Sequence, residues 1–247
     1  MSDFNSRYPG AVPAADMSVD VGLRGFMLRV YNKLGLGLGL AGALAWIVGN
    51  VPAVTRQFYV IEGSNVTGIT PLGMVVQWAP LVVLLGASFT MKNPTNRGAS
   101  LLYWAVVALI GLSLGFVFLT YTGGSIASTF FITAASFGGL SLFGYATKKD
   151  LTGFGSFLIM GVIGIVIASI VNMFLQSGML YFVINVLGVL IFSGLIAYDT
   201  QKLKMIYHYA DGDERVLGPA SSYGALTLFL DFVNLFMFLL RLFGGRR

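Results

Sequence analysis

Two stretches of this chain run for about fifty residues without a single charge: Gly98 to Thr147, 50 residues, and Leu151 to Tyr198, 48 residues. Nothing with a water-facing surface tolerates such runs. A helix that crosses a bilayer needs about 20 apolar residues. Each run therefore holds two spans, joined at the small and polar pieces Tyr121-Thr122-Gly123-Gly124 and Gln176-Ser177-Gly178. Leu34 to Thr55 and Gly63 to Met91 are also neutral and hold one span each, and a last apolar segment runs from about Ser222 to Phe243. The runs do not alternate and are twice the length of a barrel strand, so strands are not expected. The reading is an all-α integral membrane protein with seven transmembrane helices near 27–50, 72–91, 99–120, 125–147, 154–176, 179–204 and 220–243. A polar tail, residues 1–25, precedes a single membrane domain, residues 26–247.

Composition agrees. The chain is 56% hydrophobic and 10% charged, against roughly 25% charged residues in soluble domains. A soluble enzyme, a disordered chain and a nucleic-acid binder are excluded. With no cysteine, there is no disulfide, thiolate chemistry or cysteine-bound metal. With the N-terminus inside, eleven of the fifteen basic residues fall on the cytoplasmic side, leaving Arg56, Arg241, Arg246 and Arg247 outside. The positive-inside rule thus places the N-terminus in the cytoplasm. The C-terminal arginines pull the other way, and a re-entrant last segment with both ends inside is the alternative. Tyr31, Trp78, Tyr103, Trp104, Tyr145 and Tyr181 stand near span ends as interface anchors. Gly35/Gly39 and Gly111/Gly115 have the spacing that lets helices approach closely.

Eight of the ten acidic residues lie in tails or loops; Asp199 and Asp231 lie in the last two apolar segments. An ionisable side chain within a span is costly and marks a candidate functional site. At 100° per residue, Gly224, Thr227, Asp231, Asn234 and Arg241 share one face of the seventh helix, and Asn185, Gly188, Asp199 and Lys202 share one of the sixth. The two stripes satisfy each other if they face. For the aspartates to meet, the sixth helix must continue past Lys204 through Met205 and Ile206, its lysines snorkelling to the interface. Two carboxylates meeting in a poorly solvated site share a proton. Deprotonated, they offer oxygens to a hard cation such as Ca²⁺, which takes six to eight, so Asp199 and Asp231 suit a weak transit site rather than storage. The competing reading is that Asp199 caps the sixth helix and Asp231 is neutralised by Asn234 or Arg241.

Other polar residues read as structural. His208 falls in the loop after the sixth span, and Asp211-Gly212-Asp213-Glu214 is a solvated turn without calcium-loop spacing. Gln77, Asn172 and Asn185 are expected to hydrogen-bond between helices. Gly35-Leu36-Gly37-Leu38-Gly39 has no strand before it and no lysine in register, against a phosphate loop. No catalytic residue and no resident cofactor are expected.

Gly194-Leu195-Ile196-Ala197-Tyr198-Asp199-Thr200-Gln201 and the run from Gly224 through Asp231 to Phe236 resemble the paired motifs of the Bax inhibitor-1 family, also called the transmembrane Bax-inhibitor-motif family. Gly144-Tyr145-Ala146-Thr147-Lys148-Lys149-Asp150-Leu151 and Leu239-Leu240-Arg241-Leu242-Phe243-Gly244 also fit, and the likeness is closest to the bacterial branch. The resemblance implies a seven-helix fold whose last helix is enclosed by the other six. It further implies a pH-sensitive calcium leak in the inner membrane, sensed by a di-aspartyl pair corresponding to Asp199 and Asp231. Ca²⁺ is then the transported ion and protons the regulator. In the family an arginine on the second helix latches onto the first aspartate; here the local substitutes are Lys92 and Arg97. Two rival readings stand beside the leak. One is a regulatory protein that modulates a membrane protease or another partner without conducting, its polar tail docking. The other is an intramembrane aspartyl protease, which Tyr198-Asp199 resembles but the Phe229-Leu230 ahead of Asp231 does not.

Overall fold

The computed structural model describes residues 21–62, 65–91 and 95–247. Most of the polar tail, residues 1–20, and Lys92 lie outside them. Helix α1 (Val21–Asn50) starts inside the stretch read as tail. A short α2 (Pro52–Phe58) then leads into a hairpin of β1 (Tyr59–Glu62) and β2 (Asn65–Ile69). The remaining elements are α3 (Pro71–Thr90), α4 (Asn96–Ser113), α5 (Gly115–Thr120), α6 (Gly123–Ala146), α7 (Thr152–Leu175), α8 (Gly178–Ala210) and α9 (Glu214–Phe243). Among the described residues, seven spans are long and apolar enough to cross a membrane: α1, α3, α4 with α5, α6, α7, α8 and α9. The chain is thus an all-α multi-span bundle.

Helix starts follow local chemistry. Thr70, Thr95, Thr122 and Ser177 each accept a hydrogen bond from the backbone N–H three residues on, at 3.1 to 3.3 Å, and Asp213 accepts one from Arg215 at 2.8 Å. Such caps satisfy orphan donors that lipid cannot. The antiparallel hairpin pairs Tyr59 with Ile69 and Val60 with Gly68. These strands were not expected; they lie in the connection between the first and second spans.

The seventh span lies at the centre. Of its apolar stretch 61% is buried, against 11% for α3 and for α7. Helices α1, α4, α6 and α8 pack directly on α9, while α7 packs on α8, and α3 on α4 and α2. The peripheral α3 is pinned through Pro80. A proline has no N–H for the carbonyl four residues back, and the Ser113 hydroxyl of α4 donates to that carbonyl, Val76 O, at 3.0 Å. Gly111 and Gly115 admit Ala41 and Val48 of α1, as a Cβ at either would overlap them, whereas Gly35 and Gly39 face open space. Gly144 of α6 rests against the backbone of Ala197 in α8.

The re-entrant alternative does not hold. Helix α9 runs unbroken for 30 residues, and beyond it Gly244–Arg247 lies antiparallel to the α5–α6 turn. Thr122 N–H donates to Gly245 O and Arg247 N–H to Thr120 O, both at 3.0 Å. The start of α1, paired through Arg29 with Glu214, and the last residues therefore lie at opposite ends of the bundle.

Candidate functional site

Helix α8 continues eleven residues beyond Asp199 to Ala210, which places that carboxyl about 16 Å from the helix end. His208 is accordingly on the helix, not in a loop. Helix α9 begins at Glu214, earlier than the sequence reading had it, and carries Asp231 deep into the bundle. The extension brings the two carboxyls within interaction range of each other, and both are buried, 9% and 5% exposed. Asp231 Oδ2 has no hydrogen-bond partner among the described residues.

Neither aspartate follows the competing reading. Asp199 lies in the helix interior and caps nothing. Asn234 donates to Leu230 O of its own helix at 2.8 Å, and the exposed Arg241 lies over the Phe238 ring, 5.8 Å from its centroid. Asn185, fully buried, donates to Tyr181 O at 2.7 Å and leaves its own Oδ1 unpartnered. Asn172 accepts from Ser177 N–H at 3.0 Å and closes the end of α7, while Gln77 is exposed. The expected interhelical bonds from these three amides are therefore not made, because each amide with a partner satisfies a backbone group close in sequence.

A cavity of about 140 Å³ reaches Asp199 between α8 and α9, lined also by Lys202, Leu203, Ile206, Tyr223, Gly224 and Thr227. Thr227 thus lines the same cavity as Asp199. Tyr223 and Thr227 also border a second cavity of about 430 Å³ that runs between α9 and α3 past Ser88 and Met91. The cation whose field reaches Asp199 is Lys202, one turn along the same helix. Arg97 is exposed in the first turn of α4.

Several polar contacts around the pair were not anticipated. Tyr31 of α1 hydrogen-bonds Ser141 of α6 at 2.5 Å, and Ser141 bonds Thr200 at 3.0 Å, next to Asp199. Tyr103, read as an interface anchor, is fully buried and donates to Lys33 O at 2.6 Å. Lys33 donates to Ser221 and Ser222 of α9 at 3.0 and 2.7 Å. Lys204 does not snorkel; it is buried and donates to the Tyr145 carbonyl. Hydroxyls on small residues gave no signal because they are common in any membrane helix. The serine pair at 221–222 facing Lys33 was the one legible hint.

Geometry and composition together define a multi-pass integral membrane protein with a buried pair of carboxyls on its last two helices. The family model described as inhibitor of apoptosis-promoting Bax1 matches residues 23–247. The chain belongs to this Bax inhibitor-1 family. It is 61% identical to an uncharacterized protein of Caulobacter vibrioides over the whole of both chains. It is 42% identical to the inner membrane protein YbhL of Escherichia coli, covering 95% of this chain and 98% of that one. Identity to the Rickettsia prowazekii protein RP147 is also 42%, over 92% of each.

Proposed function

We propose that the chain is a passive, pH-sensitive cation leak of the inner membrane that carries Ca²⁺, gated by the Asp199–Asp231 pair, with its N-terminus in the cytoplasm. The observation that carries this reading is the juxtaposition of two buried carboxyls on neighbouring helices, Asp199 of which lines a cavity. Losing the shared proton leaves two like charges in contact, and their repulsion acts directly on the α8–α9 packing. The charged pair then offers oxygens to a passing cation. With Thr227 and Tyr223 as the nearby hydroxyls, this set falls short of the six to eight oxygens of a tight calcium site. Transit fits that set better than storage.

No catalytic role is assigned to either carboxyl, and no resident cofactor is needed. The inner-membrane placement follows the Escherichia coli relative's description, and the orientation follows the basic residues. The test is Ca²⁺ flux into proteoliposomes, compared between about pH 6 and 8. Wild type should conduct with a pH dependence that Asp199→Asn and Asp231→Asn both lose. Purified, folded protein that conducts at no pH, or mutants with an unchanged profile, would refute the proposal.

A further inference from the structure

Helix α1 packs along α4, α5, α8 and α9, and α6 along α5, α8 and α9, yet α1 and α6 make no extended contact with each other. The cleft between them holds two cavities. Near the start of α1 one of about 590 Å³ has Arg24, Leu28 and Tyr31 on one wall and Phe137, Gly138 and Leu142 on the other. Farther along lies one of about 330 Å³, walled by the same two helices and floored by Phe232 and Phe236 of α9. Both volumes suit a ligand-sized occupant and are too small for another helix, which is about 10 Å across. The room is real: a Cβ at Gly138, or at Gly42 in the second cavity, would meet nothing within 4 Å.

Charge at the mouth selects among apolar occupants. Arg24 is exposed, and the one ion pair among the described residues is Arg29 with Glu214. Tyr145 lines the same cavity, and the exposed Lys148 and Lys149 follow it at the end of α6. The acidic neighbour, Asp150, accepts the Thr152 N–H at 2.8 Å. The mouth is therefore basic and the interior greasy. From Arg24 to Leu38, where the second cavity begins, α1 rises about 21 Å, more than the roughly 15 Å hydrocarbon depth of one leaflet.

We infer that the α1–α6 cleft seats an anionic phospholipid, its headgroup held at Arg24 and one acyl chain lying along the cleft past Gly138. The site does not depend on conduction. It has a consequence for the bundle, because the chain lies against the Tyr31–Ser141–Thr200 hydrogen bonds that end beside Asp199.

Native mass spectrometry of delipidated protein tests this with phosphatidylglycerol and with phosphatidylcholine of identical chains. Wild type should retain one phosphatidylglycerol per chain and hold phosphatidylcholine more weakly. Arg24→Gln should cut phosphatidylglycerol retention about fivefold, the worth of one basic residue near an anionic headgroup, and leave phosphatidylcholine unchanged. Gly138→Leu, which fills the cleft, should reduce both lipids. Leu142→Trp repeats that test at a side chain 70% exposed, where a larger ring displaces no core contact, and far-ultraviolet circular dichroism checks that each variant is folded. Equal retention of the two lipids, no retention, a lipid-free dimer, or an Arg24→Gln protein that binds like wild type would overturn the inference.

Discussion

The closest approach of two helices beside the carboxyl pair is at Gly144. An alanine there would put its Cβ 2.2 Å from the Ala197 carbonyl oxygen and 2.9 Å from two other backbone atoms, where 3.4 Å is ordinary contact. No flexible side chain can yield, so α6 and α8 must part by about 1 Å. Overpacking of this kind costs about 1–3 kcal/mol. The parting also stretches the Ser141–Thr200 hydrogen bond, which crosses the same contact at 3.0 Å. Gly139→Ala is the matched control, since its Cβ meets nothing within 4 Å and the change favours the helix by up to about 1 kcal/mol. For a chain of this size 1 kcal/mol moves Tm by about 2–4 °C. Thermal melts in one detergent at one scan rate, read by tryptophan fluorescence, should show Gly139→Ala at or above wild type. Gly144→Ala should fall below it by about 2–12 °C. Equal melting of the two variants would refute the described α6–α8 contact.

Other contacts give equally direct expectations. Ser113→Ala leaves the Val76 carbonyl, freed by Pro80, without its donor; a loss of about 0.6–1.7 kcal/mol should appear as faster proteolysis of the α2–α3 region. Gln201 accepts from Leu151 N–H at 2.8 Å and donates to Lys149 O at 2.7 Å, so Gln201→Leu should lower stability by about 1–3 kcal/mol, measured in the same melts. Asp150 is held below the usual 3.8 by hydrogen bonds from the Thr152 side chain and then its backbone N–H. A depressed folded value stabilises above the unfolded pKa and is lost as pH falls through the folded one. The acid-side loss of Tm below about pH 4 should therefore be smaller in Asp150→Asn.

The spans were legible because lipid leaves the chain little choice. Charge-free runs of 50 and 48 residues fix four helices and both their turns, and α6 and α8 begin within two residues of the expected starts. The juxtaposition of Asp199 and Asp231 was legible only conditionally. It required α8 to outrun its hydrophobic stretch, and the sequence beyond Lys204 allows this without demanding it. What escaped was whatever depends on which neighbour a residue meets. Lys204 reads as a snorkelling lysine until Tyr145 offers it a carbonyl. Tyr103 reads as an interface anchor until α1 packs over it. The hairpin from Tyr59 to Ile69 was obscured because apolar, β-branched residues serve a strand and a span equally well.

The position of α9 has a bearing on how the protein is made. Chains are synthesised from the N-terminus, so the helix at the centre of this bundle is the seventh of its spans to emerge. Until it arrives, α1, α4, α6 and α8 flank an unfilled slot, Lys33 lacks Ser221 and Ser222, and Asp199 lacks its neighbouring carboxyl. Completion is then a single docking event, fastened by the pairing of Gly244–Arg247 with Thr120–Thr122. A chain cut short by its last span loses its core rather than its edge, so the order of synthesis itself checks that every chain able to assemble the pair is whole through Phe243.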